Sequence, residues 1–177
     1  MKKSDGEVSD AVQSEKDARG AGERSFAIRK AVVRDVGRIQ KLVNEFASRG
    51  LMLGLSLSEV YEHLRDFSIA EKDGEVVGAC ALHIVWEDLA EIRSLVVEPA
   101  FRDFGIGRAL VESCIEEGRS LRLNRVFALT YQEDFFLRLG FEPVEKSELP
   151  QKVWSDCMKC TKFPDCDETA VIRMLEE

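Results

Sequence analysis

The chain has 177 residues, of which 45% are apolar and 33% charged, with a formal net charge of −8. That length suits one domain with a full core and is short for two, and the acidity disfavours broad contact with nucleic acid. No apolar run reaches the ~20 residues that span a bilayer, and the two lysines of MKKSDGEVSD precede no apolar stretch, so membrane and secretory classes are set aside in favour of the cytoplasm.

Residues 1–25 lack any aromatic side chain and are filled with Lys, Asp, Glu, Ser and Gly, which predicts a solvated tail ahead of one domain over 26–177. Residues 26–31 read as a first strand. Arg34-Asp35 offers a cap for a helix with Val36, Ile39, Gln40, Leu42, Val43 and Phe46 at helical spacing, closed by Gly50. Ser58 is placed as the cap of a short second helix through Val60, Tyr61, Leu64 and Phe67. Residues 68–71 and 76–85 are strand-like, and Lys72-Asp73-Gly74-Glu75 between them is a hairpin signal. Residues 86–88 form a second turn, and 90–97 a strand stopped by Pro99. Leu110, Val111, Cys114 and Ile115 share one helix face. A strand over 125–130, a short helix over 133–139 ended by Gly140, and a strand over 141–144 follow. Beyond a Cys-rich segment, 155–168, residues 169–175 read as a last strand. This order excludes helix-only and strand-only folds and predicts an α/β (mixed α+β) domain, a mixed sheet covered by helices.

Chemistry concentrates in Val97-Glu98-Pro99-Ala100-Phe101-Arg102-Asp103-Phe104-Gly105-Ile106-Gly107-Arg108, where a strand ends, a loop turns and a helix opens on two glycines. Backbone N–H groups at Gly105 and Gly107 can approach a ligand closely, and the helix start adds unpaired donors and the positive end of its dipole. Such a site holds pyrophosphate, with Arg102 and Arg108 adding charge; a plain turn is the alternative. No Gly-Lys-Ser/Thr follows, and Leu110 stands where a dinucleotide fingerprint needs Gly or Ala.

Arg102-x-x-Gly105-x-Gly107 directly after Leu95-Val96-Val97 resembles the acyl-CoA signature of the GNAT N-acetyltransferase superfamily, and Gly140-Phe141 resembles its later landmark. The likeness covers about residues 26–145 and implies a single domain whose central mixed sheet is mostly antiparallel. Ala90-Glu91-Ile92, Phe127-Ala128-Leu129-Thr130, Phe136-Leu137-Arg138-Leu139-Gly140-Phe141 and Glu148-Leu149-Pro150-Gln151-Lys152 are similar to amino-acid N-acetyltransferases, and more narrowly to short N-acetylglutamate synthases of arginine biosynthesis.

The resemblance implies acetyl-CoA along the Leu95, Val96 and Val97 strand edge, with its pyrophosphate on Arg102, Asp103, Phe104, Gly105, Ile106, Gly107 and Arg108. It assigns Glu91 as the base that accepts the amine's proton; an ion pair with Arg93 or an exposed strand charge is the alternative. Strand alternation predicts Glu91, Arg93, Leu95 and Val97 on one face. Thr130 matches a hydroxyl position, with strand-end hydrogen bonding as the alternative and Tyr131 adjacent, while Phe136 stands where many relatives carry a tyrosine acid. Leu55 occupies the place of a carboxylate-binding arginine, leaving Arg93 and Lys152 as the expected substrate cations. The implied partners are small molecules, acetyl-CoA and an amino acid, with a homodimer expected of the family. Other amine acceptors, or a non-catalytic acyl-CoA-binding module, are the rival classes. Cys157-x2-Cys160-x5-Cys166 has half of a zinc pattern and lacks a clear fourth ligand; reduced thiols are the alternative. His63 and His83 have no partner evident in the sequence, and Cys80 and Cys114 read as buried.

Overall fold

The Asp73-Gly74 dipeptide turns with both residues at positive φ, 52° and 81°. This is the left-handed pairing that matches strand twist, and it joins β2 (Phe67–Lys72) to β3 (Glu75–Trp86) as a hairpin. The computed structural model describes residues 25–150, 158, 162 and 165–175; the expected tail, Lys152, Cys157 and Cys160 lie outside the described residues. β1 (Ala27–Lys30), β4 (Leu89–Val97), β5 (Arg125–Thr130), β6 (Glu142–Val144) and β7 (Thr169–Met174) complete a seven-stranded sheet in the order β1-β2-β3-β4-β5-β7-β6. Every neighbouring pair is antiparallel except β4–β5. The mixed, mostly antiparallel α/β architecture expected from the sequence is the one observed.

Two helical layers cover the sheet. On one face, α1 (Val36–Ala47) sets Val36, Ile39, Leu42 and Val43 against Ile69, Ala79, Ala81 and Val96. Val60 of α2 (Leu57–Glu62) joins this cluster. On the other face, Ile106, Leu110, Val111, Cys114 and Ile115 of α3 (Ile106–Ser120) pack on Cys80, Leu82 and Ile92. Phe136 of α4 (Glu133–Leu137) extends that core against Phe141. Gly140, at φ 79°, makes the left-handed stop between α4 and β6.

Two expected caps differ. The cap of α2 is Ser56, not Ser58: its Oγ accepts from Glu59 N at 3.2 Å, and the Glu59 carboxylate accepts from Ser56 N at 2.8 Å. That reciprocal pair satisfies two orphan donors and starts the helix two residues earlier. α2 also stops at Glu62; Leu64–Asp66 is a 3-10 turn, and Phe67 already belongs to β2.

Asp35 precedes α1 without capping it. Its carboxylate turns back to accept from Val32 N at 2.8 Å and from the two terminal guanidinium nitrogens of Arg29 at 2.6 and 3.1 Å. Arg29 also meets Glu71 at 2.6 Å, tying β1, β2 and α1 together. The Arg29 hydrogen bonds hold Asp35 below the usual carboxylate range, despite its burial. A lowered folded-state value gives stability that is full above the unfolded pKa, ~3.9, and is lost as pH falls through the folded one. Arg29→Met is therefore expected to destabilise the fold by about 3 kcal/mol at neutral pH, because it strands a buried carboxylate. The gap to wild type should narrow as pH falls through the folded value of Asp35, because the variant has already lost that linkage and protonation relieves its stranded carboxylate. Urea unfolding across pH 3–7 checks both; an unchanged midpoint in the variant would show that the cluster contributes nothing net.

Candidate active site

The site begins where β4 and β5 part. Their parallel pairing runs only through Leu89↔Arg125, Ala90↔Val126 and Glu91↔Phe127. Past Glu91, β5 stays paired to β7 while β4 stays paired to β3, so a cleft opens between the two strands. Glu91 stands at its apex.

A β-bulge then reverses the parity of β4. Ala79 pairs with Val96 and Ala81 with Arg93, so Ser94 and Leu95 together oppose Cys80. Ser94 takes φ 54°, the left-handed region that non-glycine residues enter at a cost of roughly 1–2 kcal/mol. The expected single face is therefore corrected. Arg93 and Glu91, partners of Ala81 and His83, lie on the α1 face. Leu95 and Val97 pack toward the α3 face. The bulge thus gives one strand two functional sides, and it carries a strained backbone into the cleft.

On the α1 face, Glu91 sits in a polar strip between two apolar clusters. One is the α1 core; the other gathers Val85, Leu89, Phe127, Leu149 and Ala170. Glu91, Arg93 and His83 are half-buried there. Two residues set aside in the sequence join the strip: His63 and His83 both approach Asp66, at 3.6 and 2.8 Å.

At the far end of β4, Arg38 fixes the exit of the strand. Its guanidinium donates to Val76 O at 3.0 Å and to Glu98 at 2.8 Å. A 3-10 turn, Pro99–Phe104, leads to Gly105, whose φ of 78° makes the left-handed entry into α3. No side chain caps this helix start. Phe101 and Phe104 stack edge to face at 5.5 Å, Lys72 lies over Phe104, and Arg102 lies 5.7 Å from the Phe46 ring. Ile106, the first residue of α3, has a fully buried side chain that serves packing, while Arg102, Asp103, Gly105 and Arg108 are exposed. Arg108 already pairs with Glu112 at 2.7 Å. A β-carbon on Gly107 would make only ordinary contacts, 3.5 Å from Phe135 and 3.8 Å from Val97. Packing alone does not demand glycine there, whereas a backbone that must touch a phosphate would. Uncapped donors and a bare glycine fit the diphosphate of an acyl-CoA.

Thr130 and Tyr131 are not brought beside Glu91. Val126 and Ala128 face the α3 core, so alternation carries Thr130 to that side as well. Its Oγ1 accepts from Gln132 N at 2.8 Å, closing the turn after β5. The Tyr131 hydroxyl donates to Asp167 at 3.0 Å and accepts from Lys162 Nζ at 2.6 Å. Desolvation first of all, and then Asp167, raise its pKa. Of the cysteine cluster, Cys166 is described: its thiol lies 3.6 Å from Glu168, whose own pKa is raised mainly by burial. Leu55 is half-buried beside the α1 core, with its backbone clasped by Asn44 through two 2.9 Å hydrogen bonds.

Comparison with known proteins fits this geometry. Residues 40–141 match the family described as Acetyltransferase (GNAT) family. An uncharacterised N-acetyltransferase of Chlorobaculum tepidum is 42% identical over 152 residues, 84% of this chain and 96% of its own length. An amino-acid acetyltransferase of Mycobacterium tuberculosis is 39% identical over 132 residues, 73% of this chain and 75% of its own. The solved N-acetylglutamate synthase of Neisseria gonorrhoeae, complexed with coenzyme A and N-acetyl-glutamate, superposes with a TM-score of 0.79 at 28% identity. That match covers 86% of this chain and 36% of the synthase chain.

Proposed function

The chain belongs to the GNAT acetyltransferase family, and we propose that it transfers the acetyl group of acetyl-CoA to the α-amine of L-glutamate, giving N-acetyl-L-glutamate for arginine biosynthesis. Acetyl-CoA dependence and an amino-acid acceptor follow from the family and its amino-acid acetyltransferase relatives; glutamate is the finer step. The observation that carries the reading is the parting of β4 from β5 directly after Glu91, between a polar strip on one face and an uncapped helix start beyond the strand end.

Acetyl-CoA supplies an activated thioester whose leaving thiol, with a pKa of only ~8.5, needs little acid assistance. This chain's residues do the rest. N–H groups at the start of α3 hold the diphosphate. Glu91 takes the proton that the ammonium must lose before its nitrogen attacks the carbonyl carbon. Backbone N–H groups near Leu95 or Val96, at and just past the Ser94–Leu95 bulge, stabilise the carbonyl oxygen as it gains charge. Arg93, on the Glu91 face, and Lys152 hold the acceptor's carboxylates. Thr130 and Tyr131 shape the turn and loop beyond β5, and the good leaving group makes an acid role for them dispensable.

Free-thiol release from acetyl-CoA across a panel of amino acids tests the assignment. Glutamate is expected to give the highest kcat/KM. If glutamate accepts no better than water while another amine is turned over, the acceptor is wrong and the acyltransferase chemistry stands. Leu55 bears on the same question. Arginine in its place would add a charge-assisted hydrogen bond, so Leu55→Arg is expected to lower KM for glutamate roughly tenfold. An unchanged KM would place carboxylate recognition elsewhere.

A further inference from the structure

We propose that His63, Asp66 and His83 form a binding site for a divalent transition-metal ion of the zinc class, on the acceptor side of the sheet. The three ligands come from different parts of the chain. His63 directly follows α2, Asp66 ends the next 3-10 turn, and His83 lies on β3. The first two are locked in register by Asp66 N donating to His63 O at 2.9 Å. The third is brought in by the β2–β3 pairing, which sets Ala81 beside Phe67 and carries His83 back over the turn.

The donor geometry is already close to what a metal needs. His83 Nδ1 and His63 Nδ1 approach the same Asp66 Oδ2 at 2.8 and 3.6 Å. The two imidazoles meet edge to face, 5.1 Å between centroids and 89° between planes. Among the described residues, one ligand atom from each side chain falls within 4.8 Å of the others. A tetrahedral ion with bonds of about 2.0–2.1 Å spaces its donors about 3.3 Å apart, so the two His–Asp pairs need shift by only about half an ångström and the widest pair would close by at most about 1.5 Å.

A lone His–Asp hydrogen bond needs one imidazole; a second one aimed at the same oxygen makes a three-donor set. Two imidazoles and one carboxylate select zinc, cobalt or nickel over magnesium or calcium, which want oxygen. The side chains are 25–38% exposed, which leaves the remaining coordination positions open to water. His83 is the cross-strand partner of Glu91, so the ion would share a face with that carboxylate.

The test uses the full chain, stripped of metal by a chelator and titrated by calorimetry with zinc(II) and, separately, cobalt(II). The background is Cys157→Ser, Cys160→Ser, Cys166→Ser, so that thiolates take no part. About one equivalent is expected to bind. His63→Asn or His83→Asn should weaken binding at least about a hundredfold, the upper end of what even an outer-shell partner is worth. Asp66→Asn keeps the side-chain shape and should also weaken it, with thermal unfolding reporting that each variant is folded. No saturable binding in the serine background, or unchanged affinity in all three variants, overturns the site. Neither readout involves acetyl transfer, so the result is independent of the acceptor assigned above.

Discussion

Glu91→Gln is expected to lower kcat about 10²–10⁴-fold, the usual worth of a positioned general base, while acetyl-CoA affinity stays near wild type. The separation follows from the bulge. Glu91 and Arg93 face the α1 side, whereas Leu95 and Val97 return to the α3 side. A change at Glu91 thus alters the acceptor side of the strand without touching the segment assigned to the coenzyme. Glutamine keeps the size and a hydrogen-bonding oxygen, so the polar strip between the two apolar clusters should hold its shape. What disappears is a group able to take the amine's proton. The acidic limb of the kcat pH profile should vanish with it, since that limb reports a base that must be ionised. Thiol release followed across pH for both proteins measures this. A variant with near-normal kcat and an unchanged limb would remove Glu91 from the proton path and leave the amine to deprotonate in solvent.

The order of elements was legible because local chemistry and tertiary need agree along most of the chain. Asp73-Gly74 and Gly140 mark turns that only positive φ satisfies, and both turns are present. The run 125–130 is apolar on both parities, as a strand covered on both faces must be, and β5 has those bounds. The second helix was misplaced for a different reason. Ser56-x-x-Glu59 is a capping box, yet Ser58 lies nearer the apolar periodicity and drew the start to itself. Beyond it, Leu64 and Phe67 continue a helical spacing by accident; β2 claims Phe67 because pairing with Ala81 buries it in the sheet.

The site was legible in its glycines and less so in its faces. Strict alternation would set Glu91, Arg93, Leu95 and Val97 together, and a serine in a left-handed bulge carries no sequence mark of its own. One signal was present. Leu95-Val96-Val97 is apolar at both parities, so either face can bury it, and a one-residue slip costs no hydrophobic contact. The His63–Asp66–His83 cluster was hidden in another way. Its members are 3 and 17 residues apart, and only the β2–β3 register brings the last to the first two. Thr130 and Tyr131 show the converse: their residue types are visible in the sequence, but not that Thr130 Oγ1 would accept from Gln132 N in the turn beyond β5, or that the Tyr131 hydroxyl would lie between Asp167 and Lys162.

Gly107→Val is expected to weaken acetyl-CoA binding about hundredfold with little change in stability. Each charge-assisted hydrogen bond to a phosphate is worth about 1.5–3 kcal/mol, and every 1.4 kcal/mol is tenfold in affinity. Losing one good contact or two weak ones reaches a hundredfold. The fold should tolerate the change. A β-carbon at 107 meets Phe135 and Val97 at ordinary distances, and replacing a helical glycine recovers about 0.5–1 kcal/mol of backbone entropy. The added methyl groups then stand beside the N–H groups of the first turn, where a diphosphate must approach. Gly105→Val should lose affinity as well, but for a mixed cause. Open space surrounds that position, yet its φ of 78° strains any β-branched residue, so the entry into α3 itself would shift. Arg108→Ala supplies the contrast. Its guanidinium is exposed and already shared with Glu112, and such pairs are worth about 0.2–1 kcal/mol, so affinity should fall no more than about fivefold. Calorimetric titration of the three variants with acetyl-CoA separates a backbone cradle from a cationic patch. If Arg108→Ala proves the most damaging and Gly107→Val binds like wild type, the coenzyme is held by side-chain charge, and the two glycines serve only the turn.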